Sequence, residues 1–164
     1  MVQLILIIDD SPTIRAILEM TARREGYASR SFPDGYAALR WLASPERRAP
    51  ALIFLDLTMP RMDGLTALRY LKSKPALAVV PVIVLTSREG TIDRLKARLA
   101  GASEYLTKPF TQEQIVAFLH GHLALPAQIA PASPLTIIYF NNKENTHDHQ
   151  PHAQHSFTPF PGSV

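Results

Sequence analysis

Short, uninterrupted apolar runs alternate with longer amphipathic segments from residue 4 to about residue 123. Continuous apolar runs predict parallel strands, because a strand covered by helices on both faces has no side exposed to solvent. Apolar residues that recur every three or four positions predict helices that bury one face. The strands are predicted at 4–8, 27–32, 51–55, 81–85 and 103–107, and the helices at 12–26, 36–43, 65–74, 92–100 and 112–123. This alternation predicts an α/β fold, a doubly wound parallel sheet with right-handed crossovers.

Local signals mark the ends of several elements. Ser11 and Pro12 provide an N-cap and a first-turn proline for the first helix, and Gly26 ends that helix. Thr111 is placed to cap the last helix. The strand at 27–32 is more polar than the others, which predicts a position at the edge of the sheet.

The composition changes after residue 124, which predicts a domain at 1–124 followed by a largely disordered tail at 125–164 without an effector domain. The tail is rich in proline and histidine and carries few charges. Its apolar segment 135–140 leaves two interpretations open: a chance apolar run, or an extra strand that pairs with a sheet edge or with another copy. Its histidines could chelate Zn²⁺ weakly, but no ordered framework predicts a resident metal there.

Composition and charge exclude several classes of protein. The chain has no cysteine, which excludes disulfides and thiolate sites and is compatible with a reducing cytosol. No apolar run approaches the roughly 20 residues that a membrane span needs, and the N-terminus does not resemble a signal peptide. The net charge of +3 comes from scattered residues, so no nucleic-acid surface is predicted. We therefore expect a cytoplasmic protein that neither inserts into membranes nor binds nucleic acid directly.

Charged side chains follow three of the predicted strands at their carboxyl ends. Asp9 and Asp10 follow the first strand, Asp56 the third and Lys108 the fifth. Carboxyl ends of parallel strands meet at one edge of an open sheet, which is where such folds bind ligands. Several buried carboxylates are unfavourable together unless a cation lies among them. The pattern therefore predicts a site for a divalent metal and a phosphoryl group.

Mg²⁺ prefers oxygen ligands and usually takes one or two protein carboxylates, so Asp9 or Asp10 together with Asp56 would suit it, and a backbone carbonyl after Asp56 could add a ligand. A carboxylate can also accept a phosphoryl group. That transfer needs a cation, for which Lys108 is suited, and a hydroxyl near a phosphoryl oxygen, for which Thr86 is suited. Each residue alone has an ordinary explanation, such as helix capping for the aspartate pair.

Taken together, these segments resemble the receiver domain of two-component response regulators. The resemblance covers residues 3–123, and its motifs are 8–12 (IDDSP), 56–64 (DLTMPRMDG), 85–87 (LTS), 101–102 (GA) and 105–110 (YLTKPF). It implies a flavodoxin-like sheet with strand order 2-1-3-4-5. It also implies Mg²⁺ as the cofactor.

The resemblance implies a role for each matching residue. Asp56 would be the phospho-acceptor and Lys108 the phosphoryl-binding cation. Asp9 and Asp10 would form the acidic pair at the metal. Asp56 and the backbone carbonyl of Thr58 would complete the set of metal ligands. Thr86 would be the switch hydroxyl and Tyr105 the switch aromatic.

Two positions bear on reaction rate and one on backbone geometry. Thr58 and Arg88 would flank the path of the attacking water and so tune the lifetime of the phosphoryl group. Ser87 is small enough to leave that path open. The bond before Pro109 is expected to be cis, which only proline makes accessible.

The expected function is that of a phospho-accepting switch rather than an enzyme acting on other substrates. A histidine kinase or phosphotransfer protein would donate the phosphoryl group, and the face formed by the fourth helix, fifth strand and fifth helix would contact an unknown target, with a homodimer as a further possibility. One alternative is a receiver that has lost an output domain, such as a DNA-binding domain. Another is a phosphohydrolase of the haloacid dehalogenase type, which would need Asp-x-Asp after the first strand, whereas Asp9 and Asp10 are adjacent.

Overall fold

A computed structural model describes residues 2–45, 47–87 and 90–125, apart from the side chain of Thr91. Five parallel strands form one sheet in the order β2-β1-β3-β4-β5, so the predicted fold class and strand order are confirmed. The strands are β1 (Leu4–Ile8), β2 (Ala28–Phe32), β3 (Leu52–Asp56), β4 (Val82–Thr86) and β5 (Glu104–Thr107). The more polar β2 lies at one edge, as its composition predicted.

Helices connect the strands and cover both faces of the sheet. They are α1 (Pro12–Arg24), α2 (Gly35–Leu42), α3 (Gly64–Ser73), α4 (Thr91–Leu99) and α5 (Gln112–His122). A helical turn at Pro75–Ala78, between α3 and β4, was not predicted. With only four residues it is too short to show a helical repeat of apolar positions.

The apolar strands supply two cores, one on each face of the sheet. Successive side chains of a strand point to opposite faces, so Ile5 and Ile7 join the core under α1 and α5, while Leu6 and Ile8 join the core under α2, α3 and α4. All five residues of β1 are buried, and so are those of β3 and β4. Burial on both faces explains why these three strands read as continuous apolar runs.

Two strands end one residue later than predicted, and the difference concerns the site. Asp56 was assigned to the loop after the third strand, but it is the last residue of β3 and lies opposite Leu85. Thr86 is likewise the last residue of β4 and lies opposite Thr107. Parallel pairing therefore fixes the backbone of both residues, which positions their side chains more rigidly than a loop would.

The predicted helix caps are present. The Ser11 hydroxyl accepts a hydrogen bond from the Ile14 N–H at 3.4 Å, and Thr111 forms a reciprocal capping box with Gln114. Gly26 follows α1 with a φ of 78°, a left-handed conformation that glycine adopts without strain. At α2 the cap is Asp34, whose Oδ1 accepts a hydrogen bond from the Ala37 N–H at 2.8 Å.

Some predictions lie outside the described residues. They concern Arg88 and the tail beyond Leu125, including the segment 135–140 and its histidines. Over 2–45, 47–87 and 90–125, no helix combines the length and apolar character that crossing a membrane requires.

Candidate functional site

Three carboxylates meet at the carboxyl edge of the sheet. Asp9 and Asp10 follow β1, and Asp56 ends β3, the neighbour of β1 in the sheet. One carboxylate oxygen from each of the three lies within 4.8 Å of the others. Asp9 and Asp56 are buried, with 0% and 2% of their surface exposed, whereas Asp10 faces solvent. The sequence prediction that these residues come together is therefore confirmed.

Lys108 joins this cluster from the loop after β5. Its ammonium nitrogen donates hydrogen bonds to Asp9 Oδ2 at 2.6 Å and to Asp56 Oδ2 at 2.9 Å. Its backbone N–H donates to the Thr86 carbonyl at 2.7 Å, which fixes the chain next to β4. The peptide bond between Lys108 and Pro109 is cis. Lys108 thus provides the cation that buried carboxylates need.

Burial and hydrogen bonding together set the pKa values of Asp56 and Lys108. Burial raises the pKa of Asp56, while the Thr58 N–H and Lys108 act in the opposite direction and the nearby Asp9 adds to the increase. Burial alone would lower the pKa of Lys108, but its hydrogen bonds to Asp9 and Asp56 outweigh that effect and the pKa lies above its usual value. Lys108 is therefore a permanent cation at neutral pH.

Backbone contacts orient the acidic pair. The Ser11 N–H donates to Asp9 Oδ1 at 2.9 Å, so Asp9 turns one oxygen to the start of α1 and the other to Lys108. The Arg15 guanidinium donates to the backbone carbonyls of Asp9 at 2.8 Å and Asp10 at 3.1 Å. Sequence reasoning missed Arg15. The signal that could have identified it is a cation at the fourth residue of α1, near a positive helix end that disfavours cations.

The donor set suits Mg²⁺. All candidate ligands are oxygens, two carboxylates are buried, and the exposed Asp10 leaves the site open to solvent. The Thr58 N–H donates to Asp56 Oδ1 at 2.9 Å, which draws the backbone that follows Asp56 close to the carboxylate. Asp9, Asp10 and Asp56 would hold the ion, with the Thr58 carbonyl as a candidate backbone ligand. When bound, Mg²⁺ would neutralise phosphoryl oxygens.

A polar cleft of about 280 Å³ lies next to Leu57 and Thr58, the two residues that follow Asp56. Thr58 and Thr86 contribute to its lining, so the structure brings both predicted threonines to one cleft. The Thr86 side chain is fully buried at the end of β4. Asp93 and Lys96 of α4 also line the cleft. They were not predicted as site residues, because polar residues on an amphipathic helix have no distinguishing signal in the sequence.

Tyr105 lies farther along β5 and is half-buried. The Arg94 guanidinium carbon is 4.8 Å from the centroid of its ring, a distance typical of cation–π contacts. Arg94 also donates to Thr107 Oγ1 at 3.3 Å. The position of Tyr105 agrees with a half-buried edge aromatic, and its predicted switch role stays a prediction.

A family model described as the response regulator receiver domain matches residues 5–120. The chain belongs to this family. The receiver is 36% identical over 119 residues to protein PilG of Pseudomonas aeruginosa, an alignment that covers 73% of this chain and 86% of PilG. It spans only 46–49% of the length of several mycobacterial regulators that it matches at 33–37% identity.

Solved structures resemble the receiver over most of its described part. The chemotaxis response regulator CheY4 of Vibrio cholerae superposes with a TM-score of 0.69 at 25% identity, covering 75% of this chain and all (100%) of that one. The receiver domain of the sensor histidine kinase PA1611 from Pseudomonas aeruginosa superposes with a TM-score of 0.65 at 31% identity, covering 74% and 98%. That structure has a magnesium ion coordinated in its active-site cleft.

Gly64 permits a close approach beneath the site, and we expect Gly64→Ala to disrupt it. A Cβ at this position would lie 2.1 Å from the Asp56 carbonyl oxygen, so the backbone that carries Asp56 must shift. Because the clash is with backbone, we expect a loss of unfolding free energy of about 3 kcal/mol or more, measured by urea titration.

Gly121→Ala is the matched control for Gly64→Ala. Nothing lies within 4 Å of a Cβ at Gly121, which is in α5. The control should gain up to about 1 kcal/mol from helix propensity. Equal stability of the Gly64→Ala variant and the wild type would contradict the close approach.

Proposed function

We propose that this receiver accepts a phosphoryl group on Asp56 from the phosphohistidine of a histidine kinase or phosphotransfer protein. The observation that carries this proposal is the ammonium of Lys108, hydrogen-bonded to both Asp9 and Asp56 inside an acidic cluster. Such a cation, next to a carboxylate and an open face for Mg²⁺, is the arrangement that phosphoryl transfer requires. The relative with magnesium in its active-site cleft supports the same cofactor.

The transfer would proceed at the Asp56 carboxylate. An Asp56 oxygen attacks phosphorus while the bond from phosphorus to the donor imidazole nitrogen breaks, and the released electron pair on that nitrogen takes up a proton. The product is an acyl phosphate on Asp56. The Thr58 N–H holds Oδ1 and Lys108 holds Oδ2, so the carboxylate is oriented before the donor arrives. Lys108 can then exchange its contact with Asp56 for one with a phosphoryl oxygen.

Signalling would follow from the new charge. We propose that the Thr86 hydroxyl moves to bind a phosphoryl oxygen and that Tyr105 then occupies the space vacated, so that the α4-β5-α5 face changes. This is a two-state equilibrium biased by one dianionic group. Hydrolysis of the acyl phosphate would end the signal, so the protein would catalyse its own transfer and dephosphorylation and act on no other substrate.

The α4 helix has the character of a protein-binding surface. Ile92, Leu95 and Leu99 recur at helical spacing and expose 69%, 57% and 79% of their surface. Large exposed apolar side chains on one helix face mark a contact with another protein. The contact would be with a downstream target or with a second copy of the chain.

A second candidate is a receiver that functions within a longer regulator. The observation in its favour is the length of the mycobacterial relatives, of which this chain spans about half. The chemistry at Asp56 would be the same, and the α4-β5-α5 face would act on a linked output domain instead of a separate protein.

The test is chemical labelling of the full chain followed by partner capture. Radiolabelled acetyl phosphate should label the wild type only with Mg²⁺ present, and hydroxylamine should remove the label, as expected for an acyl phosphate. Leu95→Asp should keep the labelling but lose a protein captured by the phosphorylated form. Met20→Asp is the control, because Met20 is an exposed apolar residue of α1. Labelling without Mg²⁺, or a label that resists hydroxylamine, would overturn the proposal.

A further inference from the structure

The loop that follows Asp56 has a strained tip. Its base is closed by a hydrogen bond from the Gly64 N–H to the Leu57 carbonyl at 3.2 Å. At the tip the Met62 N–H donates to the Pro60 carbonyl at 2.8 Å, and Arg61 between them has a φ of 68°. This is a γ-turn with positive φ, which is rare and strained for a residue other than glycine. A contact elsewhere must compensate for the strain.

Asp34 supplies that contact. One of its oxygens caps α2, and the other lies 2.9 Å from Arg61 Nη2. The Asp34 side chain is only 4% exposed, whereas that of Arg61 is 73% exposed. Among the described residues, Arg61 is the cation with which Asp34 forms an ion pair. A buried carboxylate strongly favours its cation, because removing that cation leaves the charge uncompensated.

A second contact joins the same two segments. A Cβ at Gly35 would lie 2.9 Å from the sulfur of Met62, so the missing side chain at Gly35 is what lets Met62 pack against the start of α2. The loop tip is therefore held on both sides of its turn, by Arg61 on Asp34 and by Met62 on Gly35.

We propose that Asp34 and Arg61 form a clamp that sets the Mg²⁺ affinity of the receiver by fixing the loop between Asp56 and Gly64. The loop carries the Thr58 N–H, which holds Asp56, and the Thr58 carbonyl, which is the candidate backbone ligand. Asp34 and Arg61 are therefore positioning residues, which act on the metal site through this loop. The inference rests on the proposed metal site and adds the element that pre-organises it.

Two explanations of any effect on Mg²⁺ binding predict opposite signs. If only charge mattered, loss of the Arg61 cation would tighten Mg²⁺ binding and loss of the Asp34 anion would weaken it. If the clamp matters, both losses free the same loop and both weaken Mg²⁺ binding. We expect a loss on the order of threefold to tenfold, less than the tenfold to hundredfold typical of groups bonded directly to a metal ligand.

The experiment measures Mg²⁺ dissociation constants of the full chain by isothermal titration calorimetry. Arg61→Asn removes the cation but keeps a residue that tolerates positive φ. Asp34→Asn removes the anion but keeps an oxygen to cap α2. Both should weaken Mg²⁺ binding, and Arg61→Lys should restore most of it. Arg69→Asn, at an exposed arginine of α3, loses the same charge outside the clamp and should bind Mg²⁺ at least as tightly as the wild type.

The double variant completes the test. Because the two residues act as one unit, Asp34→Asn with Arg61→Asn should bind Mg²⁺ no more weakly than the worse single variant. Additive losses, or opposite signs for the two single variants, would overturn the clamp while leaving the metal site intact. Absence of Mg²⁺ binding by the wild type would instead overturn the metal site, and the clamp with it.

Discussion

Asp56→Asn should abolish Mg²⁺-dependent phosphoryl labelling while the domain stays folded. The amide has no anionic oxygen to attack phosphorus, but its oxygen can still accept the hydrogen bond that the Thr58 N–H donates to Asp56. Lys108 keeps its hydrogen bond to Asp9. Scintillation counting of protein treated with radiolabelled acetyl phosphate gives the labelling, and circular dichroism confirms the fold.

The same variant should be more stable than the wild type at neutral pH, in the absence of metal. Burial raises the pKa of Asp56, so folding favours its protonated form. The stability that this group contributes is present below the usual aspartate pKa and is lost as the pH rises through the higher folded-state pKa. As the pH rises from the usual aspartate pKa to the higher folded-state pKa of Asp56, the unfolding free energy of the Asn variant should increasingly exceed that of the wild type. Above the folded-state pKa the difference should stay constant.

Two outcomes would contradict the assignment of Asp56. One is equal labelling of the wild type and the Asn variant. The other is a label recovered on a serine or threonine. Glu113→Gln is the control, because Glu113 is an exposed carboxylate of α5 outside the cleft and should label like the wild type.

Lys108→Ala should strongly destabilise the folded receiver in the absence of metal. Its removal leaves two buried carboxylates, Asp9 and Asp56, without the ammonium that both contact. Breaking a buried ion pair in this way costs about 3–5 kcal/mol. Mg²⁺ should restore part of that stability and should bind more tightly than to the wild type, since the competing cation is gone. Urea titrations with and without Mg²⁺ measure both effects.

The variant should also separate phosphorylation from signalling. With Mg²⁺ and beryllofluoride, which mimics a phosphoryl group on Asp56, the NMR signals of Tyr105 should shift in the wild type but far less in Lys108→Ala. Thr86→Ala should behave like Lys108→Ala because it removes the hydroxyl, while Thr86→Ser keeps the hydroxyl and should shift normally. Wild-type shifts in both alanine variants would refute the coupling.

Local patterns were sufficient for most of the fold. The continuous apolar runs of β1, β3 and β4 follow from burial on both faces, and Ser11 and Thr111 cap their helices through contacts three residues away. Each of these signals comes from residues that are close together in the sequence, so it can be recognised without knowing the tertiary structure. These signals did not predict the helical turn at Pro75–Ala78, which is too short to show a helical repeat. They also did not predict that β3 and β4 each end one residue later, because pairing with a neighbouring strand decides where a strand ends.

The sequence by itself placed Asp9, Asp10 and Asp56 at the carboxyl ends of strands to within one residue, because each follows an apolar run. Only the tertiary structure decided what these side chains contact. Lys108 was predicted as the cation of this site, but only the structure shows that its ammonium donates to both Asp9 and Asp56. The contact of Arg61 with the buried carboxylate of Asp34 was not predicted. A charged loop residue is equally satisfied by water, so its partner depends on how the sheet order brings distant loops to one edge.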